Sequence, residues 1–300
     1  MSERTLDAGF HDGERLVQER AGLRAEAARL EDMLAPAHLS GGLTSFLAAQ
    51  TLAVLVGRDD PGRLWAAPLT GRAGFLRGGG DVLDVAASPE PGDPLRGLRA
   101  GQPVAVIAPD LGRRRRVRVN GQLSSSDGRG LTIDVAQAYG NCPAYITPRA
   151  VAVGSVAPDD VTHPALGEAG LLTARAAEIV TSTDTFFLGT EHPQRGTDAS
   201  HKGGPPGFVR IDGPDLLWPD YAGNNMFNSL GNLAVDPDAA LLFIDFDAGE
   251  VLQLSGTAEV EWRSPGREPG DTGRWVRFRP DVGMVRASRL RDSALDRVPA

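Results

Sequence analysis

The chain of 300 residues holds one cysteine, Cys142, so neither an internal disulfide nor a multi-thiolate metal centre can form within it. A single thiol fits a reducing, cytoplasmic setting. Cationic excess is also missing: Lys and Arg total 31 against 39 Asp and Glu, a formal net charge of −8. Nucleic acid is therefore not expected as a partner, because backbone-driven binding needs a basic face. No signal-like segment and no run of about 18 apolar residues occurs, so neither export nor a membrane partner is expected. The five histidines, His11, His38, His163, His192 and His201, show no ligand spacing, and no Gly-x-Ser-x-Gly elbow is present. No metal centre or catalytic triad is expected.

Glycine (37) and proline (22) are plentiful, which suits many short strands better than long helices. With 41% hydrophobic residues, the chain can bury one large core or two ordinary ones. Leu16, Leu23, Leu30 and Leu34 predict an amphipathic helix over 12–34, and a shorter helix is expected from Ser40 or Thr44 to Gln50.

An internal repeat follows. Residues 51–56 parallel 185–190, and Gly74–Arg77 parallels Gly207–Arg210. Residues 102–107 then parallel 236–241, and Val117–Gly121 parallels Leu252–Gly256. The offset stays near about 134 residues, too long for a solenoid unit and right for a duplicated domain. Within each copy the signals are strands, turns, a short helix and longer strands, a series that closes into a small antiparallel barrel. Residues 240–246 and 250–260 read as a hairpin with Gly249 in its turn. This gives a helical segment over 1–40, a first copy over 41–150, a linker over 151–169 and a second copy over 170–300. The polar tail after 285 carries no strong pattern and is expected to be disordered or a swapped edge.

The second copy carries the chemistry. Asp198, Ser200 and Lys202 alternate as in a strand, which ends in Gly203 and Gly204 and turns through Pro205 and Pro206 into a strand at 208–211. Asn224 and Asn225 predict the cap of a helix over 225–235, with Asn228 and Ser229 in its first turn and a stop before Pro237. Such a helix start favours an anion, and Lys202 is placed to reach it, which points to a phosphate. Regular alternation turns His201 away from Lys202, toward a structural role. Arg114, Arg116 and Arg118 alternate on one strand face. An exposed barrel face is the favoured reading there, with Arg116 or Arg118 meeting an acidic or phosphorylated ligand as the alternative. Trp218 and Tyr221 read as core or interface aromatics, and Cys142 as a buried, inert thiol.

The segments 198–210, 219–232 and 242–246 resemble the pyridoxamine 5'-phosphate oxidase-like split-barrel family, which binds FMN. The resemblance is strongest over about 170–262 and weaker over about 45–150; residues 139–149 look like the barrel-closing segment of larger members. It implies a mainly β fold: two split barrels paired as a pseudo-dimer within one chain, with homodimerisation of chains left open. It also implies FMN held by Ser200, His201, Lys202, Asn225, Asn228 and Ser229, and a small-molecule substrate or electron donor. The first copy's own phosphate site looks degenerate, with Arg72 its remaining candidate. The biosynthetic oxidases carry an Arg-Lys pair on the short helix where this chain has Asn228 and Ser229, which argues against vitamin B6 oxidase activity. A non-enzymatic flavin carrier or sensor, and a haem-binding or haem-degrading protein using His201 or His163, stay open as alternatives.

Overall fold

A computed structural model describes residues 9–34, 38–140, 144–154, 162–266 and 270–293; Cys142 lies outside them. Helices α1 (Asp12–Arg20) and α2 (Arg24–Ala28), a 3-10 turn (Glu31–Leu34) and helix α3 (Gly41–Ala48) come first. The first sheet follows with β1 (Leu52–Arg58), β2 (Leu64–Thr70), β3 (Leu76–Gly79), β4 (Val82–Val85), β5 (Pro103–Asp110), β6 (Arg115–Ser126) and β7 (Leu131–Gly140). Strands β8 (Val151–Val153) and β9 (His163–Pro164) and helix α4 (Ala174–Ser182) lead to the second sheet. That sheet has β10 (Thr185–His192), β11 (Gly196–Gly203), β12 (Arg210–Asp212), β13 (Asp215–Pro219), then helix α5 (Asn228–Leu233), β14 (Asp238–Asp245), β15 (Glu250–Trp262) and β16 (Arg274–Ala287). Strand β17 (Leu290–Asp292) pairs with β8.

Both sheets are antiparallel, open and identical in strand order. The first runs β2-β1-β5-β6-β7-β4-β3 and the second β11-β10-β14-β15-β16-β13-β12. Register agrees as well: Leu52 pairs with Thr70 as Thr185 pairs with Gly203, and Pro103 with Gln122 as Asp238 with Thr257. Even the irregularities repeat. The ladder slips between Asn120 and Gly121 in β6 and between Ser255 and Gly256 in β15. Each bulge glycine is packed on a carbonyl of the neighbouring strand, that of Asp134 or Arg279, where a Cβ would collide. The chain is thus mainly β, with one split-barrel topology used twice.

The two copies meet as a pseudo-twofold pair. Strand β11 lies against β5 and β6, and its counterpart β2 lies against β14 and β15. Val54, Val56, Ala66 and Ile107 pack there with Phe187, Ala199, Ala240 and Leu242, while Leu55 and Phe186 face the separate cores of their own barrels. Because both faces of β1 and β10 are covered, β1 is apolar from Leu52 to Val56 and β10 carries consecutive apolar residues at Phe186, Phe187 and Leu188 instead of alternating.

Four expectations need correction. The 12–34 helix is broken at Gly22, whose φ of +69° ends α1, and Leu16 is exposed instead of joining a stripe. Phe208 lies outside a strand, which begins only at Arg210. The linker region is partly built into the fold, since β9 pairs with β16. The tail, too, is built into the fold at β17, which pairs with β8 and buries Leu290 fully.

Candidate functional site

A polar cleft opens where β6 of the first copy crosses β11 of the second. Its walls carry Arg116 and Arg118 from β6, Ser200, His201 and Lys202 from β11, Asn225, Asn228 and Ser229 around the start of α5, and Asp220 and Arg274. All six cofactor residues expected from the sequence line this one cleft. Among the described lining residues four are cations and one, Asp220, is a carboxylate; Asp198 sits just behind the wall paired with Arg118, so the balance still favours anions.

Arg118 is the centre of the arrangement. Its side chain is 5% exposed and its Nη1 donates to Asp198 Oδ1 at 2.8 Å, to the Tyr139 hydroxyl at 3.1 Å and to Asn228 Oδ1 at 3.3 Å. Nη2 donates to Ser200 Oγ at 2.9 Å, and Ser200 Oγ lies 2.5 Å from Ser229 Oγ. Burial opposes the Arg118 charge, but Asp198 and Tyr139 outweigh it and hold the guanidinium ionised. The same burial, with Asp198 nearby, pushes the Tyr139 phenol up and keeps it neutral. The expectation of an exposed arginine face therefore fails at Arg118, because β6 is covered by β11 instead of by water. Asp198, Arg118 and Arg116 are site residues that β11 and β6 bring together from distant sequence positions.

Alternation along β11 holds: Asp198 and Ser200 face Arg118, while His201 sits edge-on to Phe187 at 5.6 Å between ring centres. Arg116 Nη1 lies 3.2 Å from His201 Nδ1. A guanidinium can only donate, so Nδ1 accepts and Nε2 carries the imidazole proton. Burial, followed by Arg116 and Lys202, pushes His201 well below its usual range, so the ring is neutral. Its Nε2 is buried with no partner, as is Arg118 Nε. Both atoms belong to residues that line the cleft.

Lys202 Nζ is 3.8 Å from Asp220 Oδ1, and Asp220 Oδ2 accepts from Arg274 Nε at 2.9 Å. Burial lowers the Lys202 ammonium from its usual range, with Asp220 partly offsetting it. At the rim Tyr145 stacks on Tyr221, 5.1 Å between ring centres, and its hydroxyl donates to the Ala222 carbonyl at 2.9 Å. Trp218, by contrast, is fully buried.

The helix over 225–235 is corrected to the six residues of α5. Met226 is fully buried, and Asn225 and Phe227 adopt left-handed φ of +60° and +62°, so the chain coils once before the helix begins. Asn224 Oδ1 accepts from Met226 N at 3.2 Å, an Asx turn instead of a helix cap. A helix this short carries little dipole, so the side chains of the cleft supply its charge.

The pseudo-equivalent position lies where β15 crosses β2. Register puts Trp65, Ala67, Pro68 and Leu69 where β11 has Asp198, Ser200, His201 and Lys202, and Val251 and Gln253 where β6 has Arg116 and Arg118. The space is filled. Gln253 Nε2 donates to the Ala66 carbonyl at 2.8 Å and to Asp93 Oδ2 at 3.1 Å, and Arg286 donates to Gln253 Oε1 at 2.7 Å and to Asp93. Arg72 is exposed and outside the cleft.

Histidines also meet at His11 and His192, near Asp12. Each Nδ1 accepts a backbone N–H, from Glu14 at 3.3 Å and from Gln194 at 3.2 Å. Both Nε2 atoms therefore keep their protons, His192 Nε2 donating to Asp12 Oδ1 at 3.1 Å while the two rings pack 4.2 Å apart, an arrangement that leaves no free ring lone pair for a metal.

Residues 172–290 match the family model of pyridoxamine 5'-phosphate oxidase. Over this segment the chain is similar to the pyridoxamine 5'-phosphate oxidase family. The family segment spans the second copy and includes β11, α5 and Arg274. Similar solved structures include an FAD binding protein from Mycobacterium smegmatis, 13% identical, covering 42% of this chain and 97% of that one, with a TM-score of 0.27. Another is HutZ, the heme storage protein from Vibrio cholerae, 13% identical over 38% and 93% of the two chains, with a TM-score of 0.29. A third, from Clostridium acetobutylicum, is a protein related to general stress protein 26 of the pyridoxinephosphate oxidase family, 16% identical over 36% and 83%, with a TM-score of 0.27. Comparison with curated proteins found no match. Among the described residues no helix is long and apolar enough to cross a membrane.

Proposed function

We propose that the protein is an FMN-binding flavoprotein acting as an oxidoreductase on a small molecule or electron donor, with one cofactor site per chain at the β6–β11 crossing. The observation that carries this reading is the cationic cleft: four lining cations against Asp220, with Asp198 behind Arg118, walled in part by a segment similar to a flavin-using family and present at only one of two pseudo-equivalent positions. Bound FMN would supply hydride or single-electron transfer; the polypeptide anchors and orients it and limits water. Lys202, Arg116 and Arg118 balance the phosphate charge, and Ser200, Ser229 and Asn228 complete its hydrogen bonds. His201 Nε2 and Arg118 Nε, both unpartnered and buried, are further donors for ligand oxygens. Tyr145 and Tyr221 cover the rim and shield one side of the cleft from solvent.

Haem fits less well. With Arg116 donating to Nδ1, His201 keeps a proton on Nε2 and offers no lone pair to iron, and His163 is an exposed residue on β9. A carrier shares the anchoring with an oxidoreductase and differs only in turnover. Adding FMN to the purified chain and recording its visible spectrum, then supplying a reductant and oxygen, tests both steps. Flavin bands that bleach and recover support the oxidoreductase. Stable bands that never cycle favour the carrier, and a Soret band would replace this reading with haem.

A further inference from the structure

The N-terminal helix reaches the cleft from behind. α1 packs so closely on α5 that a Cβ at Gly13 would strike the Gly231 carbonyl, and one at Gly231 would strike the Glu14 backbone. This contact seats Glu14, whose side chain is 4% exposed, directly under the cleft. Its Oε1 accepts from Asn228 Nδ2 at 2.5 Å and its Oε2 from the His11 backbone N–H at 2.9 Å. Asn228 in turn offers Oδ1 to Arg118. One amide therefore bridges a buried carboxyl to the central cation of the site. A small polar chamber lined by Glu14, Asn120, Arg195, Asp198 and Asn228 adjoins it, and Asn120 Oδ1 is buried there without a partner.

We propose that Glu14 is a positioning residue of the anion site, holding Asn228 toward Arg118, and that binding of a divalent oxyanion in the cleft is coupled to proton uptake by the Glu14 carboxylate. The inference rests on the reading of the cleft as an anion site. The groups facing Glu14 are His11 from the segment before α1, Arg195 from the β10–β11 turn and Asp198 from β11. Beyond Asn228 stand Arg118 on β6 and Tyr139 on β7. His11 cannot balance the carboxylate, because burial, with His192 and Arg195, pushes it down to about 4. Burial pushes Glu14 up to about 7, with Asp198 adding to the rise while His11, Asn228 and Arg195 oppose it. An anion arriving beside it raises its proton affinity further, as like charges do. The step is acid–base only: a solvent proton forms one O–H bond on a Glu14 oxygen, and nothing is oxidised or reduced. The other oxygen still accepts from Asn228, so the amide keeps its orientation.

Sulfate is the probe, because it stays a dianion across the range and any pH dependence then belongs to the protein. The full chain is titrated with sulfate, and separately with FMN, at pH 6, 7 and 8. Sulfate affinity in the wild type falls about fivefold or more from pH 6 to pH 8, against a one-proton limit of roughly tenfold per pH unit. In Glu14→Gln the profile is nearly flat, and binding at pH 8 is tighter than in the wild type. Calorimetry of the wild type in buffers of differing ionisation enthalpy should also report proton uptake at pH 7.5, a reading that needs no variant. An unchanged profile in Glu14→Gln, a profile flattened by His192→Gln instead, absent proton uptake, or no sulfate binding would each overturn the proposal. Failure of FMN to bind while sulfate keeps its pH dependence would remove the cofactor reading and leave Glu14's role standing.

Discussion

The two strand crossings of this chain are built on one plan and filled in opposite ways. Where β6 meets β11, arginines of the first copy face hydroxyls and a lysine of the second across an open cleft. Where β15 meets β2, the same positions hold Val251, Gln253, Ala67 and Leu69, and Arg286 closes on Asp93 beneath them. Buried charge is present at both. At the first crossing it includes donors without partners, Arg118 Nε and His201 Nε2, whereas at the second the Arg286–Asp93–Gln253 set is mutually satisfied. A duplicated fold can thus differentiate its two crossings into an open cationic cleft and a filled, paired one, each using residues from both copies.

The largest effects should come from breaking the buried pairs. Asp93→Ala removes the closest carboxylate from buried Arg286, leaving Glu90 at 3.7 Å, and should cost about 3–5 kcal/mol of stability in urea denaturation, with FMN affinity of the folded chain unchanged. Arg118→Met should cost stability on the same scale, about 3–5 kcal/mol, because Asp198 loses its partner, and should also abolish FMN binding. Loss of FMN binding in Asp93→Ala would mean the two crossings are not independent.

Next comes Glu14, whose folded pKa is raised from 4.5 to about 7. A carboxyl with a raised folded pKa stabilises fully below its unfolded value, and that contribution is lost as pH rises toward the folded one. Glu14→Gln should therefore remove a decline of up to about 3 kcal/mol between pH 4.5 and pH 7, seen as a flatter curve of melting temperature against pH. Parallel curves for the two proteins would contradict the burial argument.

Lys202→Ala should weaken FMN binding by about 1.5–3 kcal/mol, roughly ten- to 150-fold, with little change in stability. The reciprocal change, Leu69→Lys, should create no second site, because Gln253 and Asp93 occupy the space; a gain of binding there would show that one side chain decides between the crossings. The smallest effect is expected from Ser229→Ala, about 0.5–1.5 kcal/mol in the same titration.

Much of the fold was legible in local pattern. The paired segments 51–56 and 185–190, the bulge glycines Gly121 and Gly256, and the Gly249 turn each reflect backbone demands that sequence records directly. That the residues on β11 and near α5 would line one cleft was legible for the same reason, since a strand ending in Gly203 and Gly204 and a run of asparagines are local signals. What composition and spacing left open was decided by contacts across the pseudo-twofold. Arg118 reads as a surface arginine until Asp198, 80 residues away, covers it. Glu14 reads as a polar helix position until Gly231 brings α5 onto it. The start of α5 was misplaced because burial of Met226 and two left-handed residues outweigh the capping preference of Asn224 and Asn225.

The central claim, one phosphate-binding crossing out of two, is tested most directly by calorimetric titration of FMN into the wild type, Lys202→Ala and Asp93→Asn. The account predicts about one FMN per chain in the wild type, an affinity loss of roughly ten- to 150-fold in Lys202→Ala and wild-type affinity in Asp93→Asn. Two FMN per chain, or an affinity that follows Asp93 and ignores Lys202, would contradict it.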